Sequence, residues 1–243
     1  MKELFYQLYL PTVFSLELLA ALTGVFYYKK YKHTIVKYFV WFLVFTFVQD
    51  TISQVYTKIY KNFFFEEYGM IWLVSNHWWY TLFWDIASSC FYLFYFSLIL
   101  KTKRNKKILK IAAILFAVSA LGIITFNFEH FIWHSFISID MLNALAIFLC
   151  VSMYFIEVLS SNKILDFYKS FNFYVSVVIM LWWLVITPLV FYNHFYYYGQ
   201  DDAYKLIQLT VYFCANLFMY LSFILLLILY KPNKELMMNK INL

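Results

Sequence analysis

Apolar residues in this chain come in long unbroken runs, and polar residues collect in the short stretches between them. Seven runs reach or approach the roughly 20 residues that a helix needs to cross the hydrocarbon core of a bilayer. They are 5–28, 35–57, 77–100, 108–126, 132–156, 171–192 and 206–230. A membrane β-barrel would instead alternate apolar and polar residues with period two. The pattern therefore predicts an all-α integral membrane protein, a seven-transmembrane helix bundle forming one domain over 1–243. Breaks are few. Pro11 is expected in the first turns of span one, where a missing amide costs little. Pro188 is expected to kink span six and free the carbonyl of Leu184, which Thr187 or a neighbour must satisfy. Pro232 follows the last span and stops it.

Against that apolar background the ionisable residues inside spans stand out. They are expensive in hydrocarbon and normally face the bundle interior or a wet cavity. Asp50 lies seven residues from the outer end of span two, and Asp85 and Asp140 lie eight from the outer ends of spans three and five. At 1.5 Å per residue all three fall about 10–12 Å below the external surface, in one layer. Glu17 is deeper, near the middle of span one. Polar neighbours recur at helical spacing. In span three they are His77, Thr81, Asp85, Ser88 and Tyr92, and in span two Thr46, Gln49, Asp50, Ser53 and Thr57. Span seven offers Gln208, Tyr212, Asn216 and Tyr220. Uncharged members of such stripes often do no more than tie membrane helices together by hydrogen bonds. Three carboxylates at one depth, with no Lys or Arg in any span's outer half, point further. The expectation is a ligand-binding or proton-responsive pocket open to the external face, built from Glu17, Asp50, Asp85, Asp140, His77, Thr81, Tyr212 and Asn216.

Composition agrees with a membrane chain: 64% of residues are hydrophobic, 25% aromatic and only 13% charged, against about 25% charged in a soluble domain. Charge then sets orientation. Fifteen of the nineteen Lys and Arg gather at 29–37, 101–110, 163–169 and 231–240, while Lys2, Lys58, Lys61 and Lys205 lie on the other side. Short loops rich in Lys and Arg stay in the cytoplasm, which puts the C-terminus in the cytoplasm and the N-terminus outside. The formal charge of +6 is then a topology signal, and no nucleic-acid partner is needed to explain it. The expected partners are the lipid bilayer of the cell membrane and a cytoplasmic or membrane signalling partner docking on Lys101–Lys110 and the 231–243 tail. The outer loops, Asn62–Ser75 and Asn193–Tyr204, are acidic and aromatic. Trp72, Trp78, Trp79, Trp133 and Tyr196–Tyr198 are placed for an interfacial belt. Cys90, Cys150 and Cys214 all fall within spans and read as small packing residues. The first apolar run, interrupted by Glu17 and lacking a small-residue cleavage site, reads as a span, not a signal peptide.

Two further patterns bear on architecture and chemistry. Ser15–Leu22 and Ser138–Leu145 share four of eight residues, with Glu17 opposite Asp140. A 3-1-3 parallel pseudo-repeat, spans one to three and five to seven around span four, would produce this match. Chance likeness of apolar helices would too, and spans two and six show no counterpart. His130 and His134 stand four residues apart, a spacing that suits zinc or copper. No third ligand completes a motif, so no metal is expected there.

The seven spans and external N-terminus resemble microbial rhodopsins in outline. A rhodopsin holds retinal on a lysine in the middle of its last span, where this chain has Cys214 to Tyr220, and Lys205 stands at the outer edge; retinal is disfavoured. His130 and His134 resemble the HxxxH of membrane hydrolases of the alkaline ceramidase and progestin-receptor type, but fall between spans four and five instead of in the last span. The 3-1-3 sugar transporters share the suspected repeat without their paired prolines. None of these families carries residues across, and no cofactor is expected. Three function classes remain. The favoured one is a membrane sensor or signalling subunit, because polarity is concentrated in the outer half. The alternatives are a proton- or cation-coupled transporter and a membrane-embedded metal-dependent hydrolase.

Overall fold

The computed structural model describes residues 2–59, 77–134, 136–160, 169–195 and 202–231. The outer loop 62–75, Tyr196–Tyr198 and the tail beyond Lys231 lie outside the described residues. The described chain is helical, with no strand among the described residues. Its elements are α1 (Lys2–Phe26), α2 (Tyr28–Tyr31), α3 (Val36–Ile59), α4 (His77–Tyr80), a π-helical stretch (Thr81–Ile86) and α5 (Ala87–Ile99). They continue with α6 (Lys103–Phe126), α7 (Phe128–Trp133), α8 (Ile137–Leu159), α9 (Phe171–Phe195) and α10 (Asp202–Leu229).

Among the described residues, six helices are long and apolar enough to cross a membrane: Leu8–Phe26, His77–Ile99, Lys103–Phe126, Ile137–Leu159, Phe171–Tyr192 and Tyr204–Leu229. The chain is a multi-pass membrane protein. The helix α3 is 24 residues long but is not among the six, because Gln49, Asp50, Thr51, Ser53 and Gln54 dilute its second half. Burial follows the logic of a lipid solvent. On α6 the buried residues are Leu109, Phe116, Ala120 and Ile124, while Ile111, Ile114, Leu115, Val118 and Leu121 are exposed. Both faces are apolar, as expected where the outer solvent is hydrocarbon.

Three local expectations change. The helix α1 begins at Lys2, so Pro11 lies in its interior and not in its first turns; Thr12 and Ser15 hydroxyls donate to the carbonyls of Leu8 and Pro11 at 2.7 Å. At Pro188 the Thr187 hydroxyl donates to the carbonyl of Trp183 at 2.6 Å, one residue before the expected Leu184. A hydroxyl reaching back four residues meets the carbonyl one turn behind itself, not the one behind the proline. The expected start of span five at 132 gives way to the short α7, a break, and α8 from Ile137.

The chain divides into two compact units, 1–47 with 151–243, and 48–150. In the first, α10 packs against α1 and α9. Buried Ala20 and Ala21 lead to Gly24, where an added Cβ would stand 3.0 Å from Val40 Cγ1. Small residues on this face of α1 let a neighbouring helix approach at close range. Phe39 lies 4.9 Å from Phe223 and 5.9 Å from Phe171, ring centre to ring centre. One end of α10 is held by the α1–α3 connection. The Tyr31 hydroxyl donates to the carbonyls of Leu227 and Tyr230 at 3.0 Å. The Lys30 ammonium donates to those of Leu227 and Ile228 at 3.2 and 3.0 Å. These are carbonyls that a helix C-terminus leaves without internal partners, and a cation there also complements the helix dipole.

In the second unit, α5 packs on α6 and α4 on α7. Ile124, Phe131, Phe136 and Ile139 form its apolar core at one end, with Trp78, Leu82 and Ile86 against it. Trp78 and Trp79, expected in an interfacial belt, are half-buried. Trp79 Nε1 donates to the carbonyl of Gln49 at 3.2 Å, and its ring lies 4.4 Å from that of Phe83.

Candidate functional site

Of the residues read from the sequence as one pocket, His77, Thr81, Asp85, Asp140 and Asp50 belong to unit 48–150, and Glu17, Tyr212 and Asn216 to the other. In unit 48–150 the centre is a pair of acids. Asp85 comes from the π-helical stretch Thr81–Ile86 and Asp140 from the first turn of α8. Their carboxyl groups are close enough to repel each other directly, and both side chains are half-buried. Neither has a hydrogen-bond donor or a cation as partner among the described residues. That is an unfavourable arrangement inside an apolar helix bundle, because a carboxylate there is normally paired or hydrogen-bonded.

The π-helical geometry explains why the polar stripe of span three is not one straight face. A π turn closes i→i+5 loops in place of i→i+4, so positions read with a 3.6 period are displaced across it. Thr81, Ser88 and Tyr92 are buried, Asp85 is half-buried and His77 is exposed. Single π turns inside α-helices occur often at functional sites. Nothing in the segment TLFWDI marks it in the sequence.

Asp50 lies on α3, in the same unit. Its carboxyl accepts a hydrogen bond from Gln49 Nε2 on the same helix. The second half of α3 also holds buried Ser53, whose hydroxyl is unpartnered among the described residues. Two residues outside the expected set complete this picture. Among the described residues, Asn143, fully buried on α8, has neither its amide oxygen nor its amide nitrogen hydrogen-bonded, and the hydroxyl of Ser89, fully buried on α5, is likewise without a partner. The signal for both was present: each lies one helical turn from an acid, Asn143 from Asp140 and Ser89 from Asp85.

The histidines gather at the end of this unit. The rings of His130 and His134 are 4.7 Å apart, both are exposed, and His77 lies within electrostatic reach of His134. Among the described residues no group of three His, Cys, Asp or Glu side chains is placed to hold a metal ion.

In the other unit the buried acid is Glu17. This side chain is 5% exposed, and its Oε1 accepts a hydrogen bond from the Tyr220 hydroxyl at 3.0 Å. Asn216, one turn earlier on α10, accepts at Oδ1 from Trp182 Nε1 at 2.9 Å and hydrogen-bonds with Tyr9, which also feels the Glu17 charge. Tyr220 thus holds the acid directly, Tyr9 lies within its electrostatic reach, and Asn216 and Trp182 continue the polar chain from Tyr9. Tyr212, a further turn along α10, is half-buried. Tyr9 and Trp182 escaped the sequence reading because a tyrosine or tryptophan in an aromatic-rich span carries no distinguishing pattern.

Comparison with protein-family models, with curated proteins and with solved structures finds no match for this chain.

Proposed function

We propose that this chain is a multi-pass sensor or signalling subunit of the cell membrane, in which the Asp85–Asp140 pair responds to protons or a small ligand entering from outside. The observation that carries this reading is the pair itself. Two carboxyl groups meet on different helices, one in a π-helical turn, with no described counter-charge. Whatever neutralises them changes how strongly the helices repel, and a π turn is a place where a helix can change register. That is a direct physical link from occupancy to helix position.

The reading includes seven spans, with α3 as the seventh, an external N-terminus, and output through a partner on the basic inner loops. Polar residues on α3 favour a place for it in the protein interior, where its lower hydropathy is no obstacle to spanning. The burial pattern of the two matching segments supports the 3-1-3 pseudo-repeat. Leu16, Ala20 and Ala21 are buried, as are their counterparts Ile139, Asn143 and Ala144, while Leu22 and Leu145 are both exposed. Glu17 of span one meets Tyr220 of span seven, and Asp140 of span five meets Asp85 of span three. The repeat would exchange those two pairings.

The test is external pH. In oriented proteoliposomes, tryptophan fluorescence of the wild type is expected to change between roughly pH 5 and 8, the window in which a functional acid pair operates. Asp85→Asn keeps shape and hydrogen bonding and is expected to abolish the change. A wild type indifferent to external pH, or an Asp85→Asn variant that responds like it, would refute the proposal.

A further inference from the structure

The acid pair has company of a particular chemical kind. Asn143 follows Asp140 by three residues on α8, and Ser89 follows Asp85 by four, so each acid has a neutral oxygen-bearing side chain one turn away on the same helix face. Asn143 and Ser89 are both 0% exposed, and Asn143 Oδ1, Asn143 Nδ2 and Ser89 Oγ all lack hydrogen-bond partners among the described residues. Unmet polar atoms in a membrane interior cost several kcal/mol each, so they are retained where something recruits them. Two carboxyl groups, an amide oxygen and a hydroxyl form an all-oxygen donor set without thiol or imidazole. That set suits hard cations and not zinc or copper.

We propose that Asp85, Asp140, Asn143 and Ser89 form a binding site for a hard metal cation, sodium or calcium, held between α8 and the π-helical stretch with α5. This inference rests on the sensing role of the acid pair and names its ligand class. The cation supplies the positive charge that the two carboxyl groups lack, and the amide oxygen and hydroxyl replace part of its hydration shell. Protons and the cation then compete for the same two acids.

The experiment uses the full chain in lipid nanodiscs, with thermal unfolding followed during titration with NaCl or CaCl2 at fixed pH. N-methylglucamine chloride is the control for ionic strength. The wild type is expected to show a saturable rise in Tm with at least one of the two cations and none with the control. Asn143→Leu, similar in volume but without the amide oxygen, is expected to raise the half-saturating concentration by about tenfold or more, in the range typical of losing a supporting group at a metal site. Its response to external pH is expected to persist. Ser89→Ala is a milder variant that decides the matter if Asn143→Leu does not fold, with the same direction expected. The proposal is overturned if neither cation stabilises the wild type beyond the control, or if the folded variants bind the cation as the wild type does. Loss of the cation effect with the pH response intact would remove this site alone. Absence of both would remove the sensing role as well.

Discussion

Removing the Tyr31 hydroxyl probes how the end of α10 is held. Tyr31 is fully buried, and its single proton is shared between the carbonyls of Leu227 and Tyr230, both at 3.0 Å. Tyr31→Phe keeps the ring, which packs 5.8 Å from Phe171, and deletes only the donor. Leu227 keeps a second donor, Lys30 Nζ at 3.2 Å, so its carbonyl is not orphaned. The cost is therefore that of an ordinary hydrogen bond, about 0.5–1.5 kcal/mol, and not the larger penalty of a buried unmet group. Tyr31→Ala removes the ring as well and is expected to cost about 3–5 kcal/mol. In the double variant Lys30→Met, Tyr31→Phe, the Leu227 carbonyl loses both side-chain donors. The loss should then exceed the sum of the single effects by about 1 kcal/mol. Reversible unfolding in mixed micelles measures all five proteins, the wild type and Lys30→Met included. A neutral Tyr31→Phe, or strict additivity with Lys30→Met, would refute the capping argument.

The same variant predicts a pH effect. Burial, then the neighbouring phenols of Tyr230 and Tyr27, push the Tyr31 hydroxyl well above the ordinary tyrosine value. A group with a raised folded-state pKa gives its stabilisation in full below the unfolded value, about 10, and loses it as pH rises further. Wild-type stability should fall above pH 10 more steeply than that of Tyr31→Phe, by at most about 1.4 kcal/mol per pH unit. Burial and Lys231 lower the pKa of Lys30, which works in the opposite direction but is common to both proteins. On topology, a tag at Arg104 or after Lys231 is expected in the cytoplasm and one near Gln200 outside; a cytoplasmic Gln200 tag would exclude seven spans. For the Glu17 cluster, a double-mutant cycle of Glu17→Leu and Tyr220→Phe should give a coupling of about 0.6 kcal/mol, at most about 1.7, the range of membrane interhelical hydrogen bonds. A coupling indistinguishable from zero would mean that the 3.0 Å contact contributes nothing.

Membrane residence and the helical fold were legible in the sequence because both follow from local rules. A run of about 20 apolar residues has one stable form in hydrocarbon, the helix, since only there does the backbone satisfy itself. The acids were equally legible, because a carboxylate inside such a run stands out whatever surrounds it. The partners that each acid meets were not. Equal depth put Asp50, Asp85 and Asp140 in one layer, but depth fixes only one coordinate, and rotation of each helix about its axis fixes who meets whom. The π-helical turn shifts Asp85 relative to the stripe that a 3.6 period draws, and the six residues Thr81–Ile86 carry no mark of it in the sequence. Tertiary structure therefore decided that Asp85 meets Asp140 and that Glu17 turns to Tyr220. The sequence by itself determined which residues are too polar to face lipid. Only the packed helices determined which of them face one another, because in a bilayer apolar surface gains little by leaving lipid, and close packing at small residues together with polar contacts chooses the rotation.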